Sequence, residues 1–141
     1  MKMLLMTVMI LCIPFITMSA STDDDMQTVI NSLISEYNKA YEAKDMTKMT
    51  SLFHPDSYSY KTMRSNGDYF DTSTAKITLN LLALIGMDKD IAVARVKSVV
   101  TSNLDSPPKV QSIDTIQVFR KHGEKWRFWD KLYLDVGEEK K

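Results

Sequence analysis

The sequence is short of the residues that many binding sites and scaffolds require. Its 141 residues include one cysteine, two histidines, four glycines and four prolines. A single cysteine excludes a disulfide framework within the chain, and two histidines are few for a zinc site. No glycine-rich phosphate-binding motif is present. We therefore expect a domain that is held together by its hydrophobic core, with no cofactor and no metal ion.

An excess of charge of either sign is also missing, since 18 basic residues balance 18 acidic ones. A domain that binds nucleic acid normally carries a basic patch, and attraction to anionic lipids needs clustered basic residues. The sequence therefore predicts no nucleic-acid partner, and no membrane partner once the N-terminal segment is removed.

Residues 1–20 form a separate segment. Lys2 precedes a nearly uninterrupted apolar run, and small residues up to Ala20 come before an acidic stretch. This is the pattern of a secretory signal peptide that is cleaved near Ala20, so we expect a secreted, extracellular protein, or a periplasmic one in a bacterium. An uncleaved anchor is the alternative, but the run falls short of the roughly 20 residues that span a bilayer and contains Pro14. A lipid-modified Cys12 is a third possibility, disfavoured by the bulky residues before it.

The remaining chain is predicted to form one domain, residues 21–136, with a frayed tail at 137–141. Apolar residues recur at helical spacing from Met26 to Tyr41 and predict a helix of about five turns. Asp45 is expected to cap a second helix, which ends before Pro55.

Strand patterns follow these helices. Residues 58–63 alternate and predict a first strand, and residues 75–86 and 91–101 predict two long strands joined by a polar turn. In the latter strand small alanines share one face, which would let a helix approach closely. Residues 115–134 predict a hairpin whose turn places Gly123 at positive φ.

The second arm of that hairpin is expected to carry the bulky side chains that the helices cover. By strict alternation one face bears Asp130 together with four large apolar residues, namely Trp126, Phe128, Leu132 and Leu134. The opposite face would then carry Trp129 and Tyr133, joined by Phe119 from the first arm.

Four short motifs in this order resemble the nuclear transport factor 2-like superfamily, particularly its SnoaL-like and calcium/calmodulin-kinase association-domain-like groups. The motifs are Ser35–Asp45, Leu52–Asp56, Asp90–Val96 and Arg120–Arg127. The resemblance covers about residues 26–134 and implies an α+β fold. In this fold a curved antiparallel or mixed sheet wraps around the N-terminal helices as a cystatin-like cone, with a pocket at the open end. Members include isomerases, dehydratases and cyclases as well as binding and assembly modules, and many are dimers through the outer face of the sheet.

The resemblance also implies where a catalytic base would lie, namely on the strand after the second helix. That stretch has Lys61 and no acid, which argues against isomerisation of the ketosteroid type. Asp130 is the remaining carboxylate candidate, because burial among aromatic residues would raise its pKa and suit it to acid–base work. An ion pair with Arg95 or Arg127 is the alternative. His54 is a second catalytic candidate, although it could simply cap the end of a helix.

No firm catalytic set emerges, so we predict a secreted protein that binds a small apolar molecule or assembles with itself. The predicted ligand-binding residues are Tyr37, Tyr41, Tyr58, Trp126, Phe128 and Asp130. Core packing is the alternative role for the two helical tyrosines. The alternative function is a SnoaL-like lyase or isomerase that acts on a small apolar substrate with Asp130 as acid or base.

The partner predicted besides a small ligand is a second copy of the chain. Exposed aromatic side chains favour interfaces, so Phe119, Trp129 and Tyr133 are the expected anchors of a homodimer.

Overall fold

Three helices precede the strands of the sheet. The computed structural model describes residues 23–65, 75–102 and 107–138, and the predicted signal peptide lies outside these ranges. The helices are α1 (Asp23–Glu42), α2 (Met46–Ser51) and α3 (Tyr58–Ser65). Among the described helices, none combines the length and the apolar character that crossing a membrane requires.

Helix α1 is the predicted five-turn helix. Three aspartates occupy its first turn, where negative charge is favourable to the helix dipole. Its buried side chains lie at helical spacing and form one stripe: Met26, Ile30, Leu33, Ile34 and Ala40. One face of α1 therefore packs on the sheet while the opposite face meets solvent.

A short connection turns the chain into α2 and then along the edge of the sheet. Lys44 has a φ of 55°, and the Asp45 carboxylate caps α2 by accepting the Lys48 N–H at 2.8 Å. After α2, the Phe128 N–H donates to the Leu52 carbonyl at 3.0 Å, and the N–H of residue 54 donates to the Phe128 carbonyl at 2.8 Å. This stretch therefore ties the helices to the last strand.

The stretch predicted as a first strand is helical, so that prediction is wrong. Ser57 caps α3 because its Oγ accepts the Tyr60 N–H at 3.1 Å, the hydrogen bond that defines a serine N-cap. The sequence from Tyr58 to Met63 alternates in polarity, as a strand would. In the helix, however, Met63 is buried in a cluster with Ala40 and Met49. Local capping by Ser57 decides in favour of the helix.

Four antiparallel strands form one open sheet in the order β1-β2-β3-β4. Their bounds are β1 (Ala75–Asp88), β2 (Ile91–Ser102), β3 (Lys109–His122) and β4 (Lys125–Glu138). The predicted long strands and terminal hairpin are confirmed, with Gly123 at a φ of 61° in the turn. Strand β4 extends two residues into the stretch that was predicted to fray. The predicted α+β cone with a curved sheet around N-terminal helices is confirmed.

The core lies between α1 and one face of the sheet, which we call the inner face. Ala92 and Ala94 of β2 are completely buried, as expected where a helix approaches closely. Phe119 of β3 and Phe128 of β4 complete this layer, and they pair with each other across the strands. The opposite side of the sheet, the outer face, has no helix over it among the described elements.

A β-bulge in β4 changes which side chains face the helices. Phe119 pairs with Phe128 and Val118 pairs with Asp130, so Trp129 is an extra residue in β4. Such an insertion shifts the alternation by one position. Trp126 and Phe128 point inward as predicted, whereas Asp130 pairs with a residue of the outer face.

A second bulge lies farther along the same strand. Thr115 pairs with Tyr133 and Asp114 pairs with Asp135, which leaves Leu134 unpaired. Between the two bulges Tyr133 faces inward and Leu132 faces outward. The prediction that one face continues from Trp126 to Leu134 is therefore wrong.

The bulges also correct the predicted dimer anchors. Phe119 is fully buried in the core, and Tyr133 lies on the inner face with Thr115. Of the three aromatic residues, Trp129 alone packs on the outer side. Strict alternation failed here because it cannot locate the inserted residues.

Candidate ligand-binding site

The inner face is not filled along its whole length. Beyond the core, a cavity of about 590 Å³ lies between the C-terminal half of α1, α3 and the sheet. Its volume falls within the range of small-molecule sites. Helix α1 contributes Ile34, Tyr37, Asn38 and Tyr41, while α3 contributes Tyr58, Ser59, Thr62 and Met63.

The sheet supplies the other walls of the cavity. Its lining residues are Ile77 of β1, then Val96, Ser98 and Val100 of β2, then Ile113, Thr115 and Gln117 of β3, and finally Phe128, Asp130, Lys131 and Tyr133 of β4. Phe53, just after α2, also lines it. The wall is therefore mostly apolar and aromatic, with polar groups at a few points.

Aromatic contacts fix the side of the cavity near the core. The Tyr37 ring stacks on Tyr41 with centroids 6.3 Å apart, and it meets Phe128 edge-on at 5.5 Å. Phe53 lies edge-on to Tyr37 at 5.9 Å. Interlocked rings of this kind restrict side-chain rotation, so this wall is preformed.

Tyr37 also provides a hydroxyl group whose pKa is shifted by its surroundings. Burial, with smaller contributions from the neighbouring Tyr41 and Tyr133, raises the pKa of Tyr37 to about 12. Its hydroxyl is therefore fully protonated at neutral pH and can donate a hydrogen bond to a ligand.

A hydrogen-bonded chain on the sheet wall orients Gln117. Thr115 Oγ1 donates to the Val96 carbonyl at 3.1 Å, and Gln117 Nε2 donates to Thr115 Oγ1 at 3.2 Å. A carbonyl only accepts, so Thr115 must donate to it and must accept from the Gln117 amide nitrogen. Gln117 Oε1 is left buried without a partner among the described residues. This is a polar spot in an otherwise apolar wall.

The two charged side chains among the described lining residues are Asp130 and Lys131, and both are exposed. The Asp130 carboxylate accepts the Lys131 N–H at 2.8 Å. The expectation of a buried acid among aromatic residues is therefore wrong, because the bulge at Trp129 turns Asp130 away from the core. The alternative pairing with Arg95 is also absent, since Arg95 is bound to Asp114.

His54 lies apart from the cavity. It is buried, but its ring packs edge-on against Trp129 at 4.9 Å and His122 at 5.1 Å, on the outer side of β4. Its Nδ1 accepts the Asp56 N–H at 3.2 Å, so the ring is neutral in this arrangement. Burial is the main reason that the pKa of His54 is lowered.

Five of the predicted site residues thus meet at one cavity: Tyr37, Tyr41, Tyr58, Phe128 and Asp130. Trp126 is not part of the lining and packs against the core, with the Lys121 ammonium 5.5 Å from its ring centre. A ligand-binding role for these residues stays a prediction. Within the described ranges, no cluster of three potential metal ligands occurs.

The sequence-based prediction missed the polar lining of β3, and from α3 it included Tyr58 alone. Thr115, Gln117 and Phe119 are spaced two residues apart in β3, so all three side chains lie on the same face of the sheet. A polar pair on the same face as a core residue was the available signal. Ser57, a serine at a helix start, was the signal for α3.

An open, curved antiparallel sheet around N-terminal helices, with a hollow at one end of its inner face, is the cone fold that nuclear transport factor 2-like proteins share. Within that class, the chain belongs to the family of the C-terminal domain of anti-sigma-I factor RsgI9, whose family model matches residues 19–137. No curated protein matched the sequence.

Solved structures share this fold at low sequence identity. A candidate aromatic ring hydroxylase from Novosphingobium aromaticivorans is 14% identical with a TM-score of 0.65, over 83% of this chain and 95% of that protein. A candidate dehydratase of the NTF2-like family from Streptomyces avermitilis is 16% identical with a TM-score of 0.63, over 78% and 95%. A candidate calcium/calmodulin-dependent kinase II association domain from Xanthomonas campestris is 18% identical with a TM-score of 0.61, over 74% and 83%.

Proposed function

We propose that this protein is a binding domain that holds one small, uncharged and largely apolar molecule in the cavity of its cone. The observation that carries the proposal is the cavity itself, about 590 Å³ in volume and lined by aromatic and aliphatic side chains. Pockets of this size and lining bury most of the surface of a small ligand.

The lining favours an uncharged ligand for electrostatic reasons. Burying an unpaired charge costs several kcal/mol, and the charged groups of the described wall, Asp130 and Lys131, are exposed. The hydroxyl of Tyr37 offers a donor inside the cavity, which would fix the orientation of a polar atom on the ligand. The family match to a domain of an anti-sigma factor also supports a binding role over a catalytic one.

The catalytic alternative, a SnoaL-like lyase or isomerase, has weaker support. Candidate dehydratase and hydroxylase relatives favour it. An acid or base must reach the substrate, however, and of the two candidates only Asp130 lines the cavity, where it is exposed. His54 lies on the other side of β4, so the two candidates do not meet in the cavity.

The binding proposal is tested by filling the cavity. Ser98 lies on its β2 wall, and a Ser98→Phe side chain would project into the empty space. Nile red, an uncharged dye that fluoresces in apolar surroundings, is the probe. We expect saturable binding of Nile red to the wild type and at least a tenfold loss of affinity in Ser98→Phe.

Val99→Phe is the matched control, because it adds the same ring one position along β2 on the outer face. It should leave dye affinity unchanged. Absence of saturable binding to the wild type, or equal losses in both variants, would refute the proposal.

We further propose secretion and self-association. The apolar segment before residue 21 supports export, and N-terminal sequencing of protein recovered from culture medium should begin near Ser21. Self-association is supported by apolar side chains on the outer face, where Leu132 is 63% exposed and Ile91 is 42% exposed. Sedimentation should give a dimer that Leu132→Asp dissociates, and a wild-type monomer would contradict this.

A further inference from the structure

We propose that the outer face carries a second site, which binds a compact multivalent oxyanion such as a phosphate group between Arg120 and Arg127. These two arginines lie directly opposite each other on β3 and β4. Adjacent strands place such a cross-strand pair on the same face, and Arg120 lies on the outer face because its neighbour Phe119 points into the core.

Neither guanidinium has an anionic partner among the residues that the structure describes. The ion pairs among the described residues involve Lys48, Arg95 and Lys97 on the basic side, and neither Arg120 nor Arg127 takes part. Two like charges opposite each other in a sheet repel and reduce stability. An anion between them would remove that repulsion.

The Arg120 side chain is also held in place before any ligand arrives. The Nε atoms of both arginines are buried and have no partner among the described residues. The Arg120 guanidinium stacks over the Trp129 ring at 4.4 Å, and Trp129 is itself packed against His54. Partial desolvation strengthens charge-assisted hydrogen bonds, and a preorganised side chain loses less entropy on binding.

Arginine is the residue suited to this task. Its planar guanidinium donates two parallel hydrogen bonds to phosphate or carboxylate oxygens. Two such groups can share one oxyanion that carries more than one negative charge. The shared chemistry is therefore a phosphate or a dicarboxylate, and a monovalent carboxylate satisfies only part of it.

Arg95 provides the internal comparison. It lies on the same face of the sheet, but its Nη2 is 2.6 Å from the Asp114 carboxylate and its Nε donates to the same group at 3.0 Å. Its charge is therefore already paired, and two of its five donors are used. The contrast indicates that the unpaired state of Arg120 and Arg127 is a property of their position rather than of arginines on this face.

The test is a titration of the purified protein with inorganic phosphate and, in parallel, with malonate and acetate, at constant ionic strength. The Nε–Hε signals of the arginines are followed by NMR, and affinity is measured by calorimetry. We expect saturable shifts at Arg120 and Arg127 with phosphate or malonate and much weaker binding of acetate. Phosphate binding without malonate binding assigns a phosphate site, and the reverse assigns a dicarboxylate site.

Substitutions then distinguish bidentate hydrogen bonding by the guanidinium groups from non-specific electrostatic attraction. Arg120→Gln and Arg127→Gln should each weaken binding about tenfold, the loss of one charge-assisted interaction. Arg120→Lys, which keeps the charge but loses the fork, should also weaken it, whereas Arg95→Gln should have no effect. Absence of saturable binding, equal effects of Arg95→Gln, or full affinity in Arg120→Lys would each overturn the proposal. None of these outcomes depends on Nile red binding in the cavity.

Discussion

The two ends of the inner face are built from the same strands but are packed differently. At one end the small side chains of Ala92 and Ala94 let α1 pack closely on the sheet, and Phe119 is completely buried. At the other end Ser98 and Ile113 occupy equivalent inward positions and face a cavity. We call these regions the packed end and the hollow end.

The difference teaches how one sheet can provide both a close-packed core and an open cavity. Close packing gains dispersion and hydrophobic energy with every contact, so the packed end should contribute most of the stability. The hollow end forgoes those contacts, and its rigidity comes from the ring cluster around Tyr37 and the hydrogen bonds of Thr115. A ligand would supply the missing contacts there.

The largest expected effect tests this division directly. Phe119→Ala should lower the free energy of unfolding by about 3–5 kcal/mol, because it opens a void in close-packed surroundings. Ile113→Ala at the hollow end should cost about 1 kcal/mol, since the removed atoms already face empty space. Chemical denaturation measures both losses, and equal losses would show that the two ends do not differ in this way.

The outer face behind the packed end should make the stability of the protein depend on pH in the acid range. His54 packs there against Trp129 and accepts the Asp56 N–H through Nδ1. Because burial lowers its pKa in the folded protein, protonation favours the unfolded state. The stability contributed by neutral His54 is present above the ordinary pKa of about 6.5 and is lost as the pH falls through the lower folded value.

Melting temperatures between neutral pH and pH 5 measure this loss. His54→Asn keeps an acceptor for the Asp56 N–H without a titrating ring, so its melting temperature should vary less over this range. His122→Asn is the control, because it retains His54 and should therefore retain the acid loss. A wild type that is no less stable at pH 5 would contradict the assignment.

Most of the architecture could be predicted from the sequence because its signals are local. Helical spacing in α1, the Asp45 cap and the Gly123 turn each depend on a few neighbouring residues, and the structure confirms them. The long strands were readable from their β-branched residues. The stretch from Tyr58 to Met63 was not, because its alternation fits a strand while the capping serine before it selects a helix.

The site was less predictable because it depends on register. One extra residue, Trp129, decides both that Asp130 is exposed and that Tyr133 faces the cavity, and a second, Leu134, returns the end of the strand to its original alternation. Nothing local in the sequence marks these insertions, since they are fixed by pairing with β3. The tyrosines of α1 were predictable because a helix keeps its own register.

The smallest expected effect concerns the outer face of the sheet behind the hollow end. There Arg95 and Asp114 form an ion pair. Hydrogen bonding from Arg95 is the first cause of the lowered pKa of Asp114, and Lys97 adds a weaker attraction. A depressed carboxyl pKa contributes stability above the unfolded value of about 4, and this contribution is lost as the pH falls through the folded value. Asp114→Asn should therefore flatten the melting temperature below pH 4 while changing it little at neutral pH. Added salt should reduce the difference further, since exposed charges are screened. A loss of unfolding free energy at neutral pH as large as that of Phe119→Ala would contradict this, because it would mean that the ion pair on the outer face stabilises the sheet as much as the packed end does.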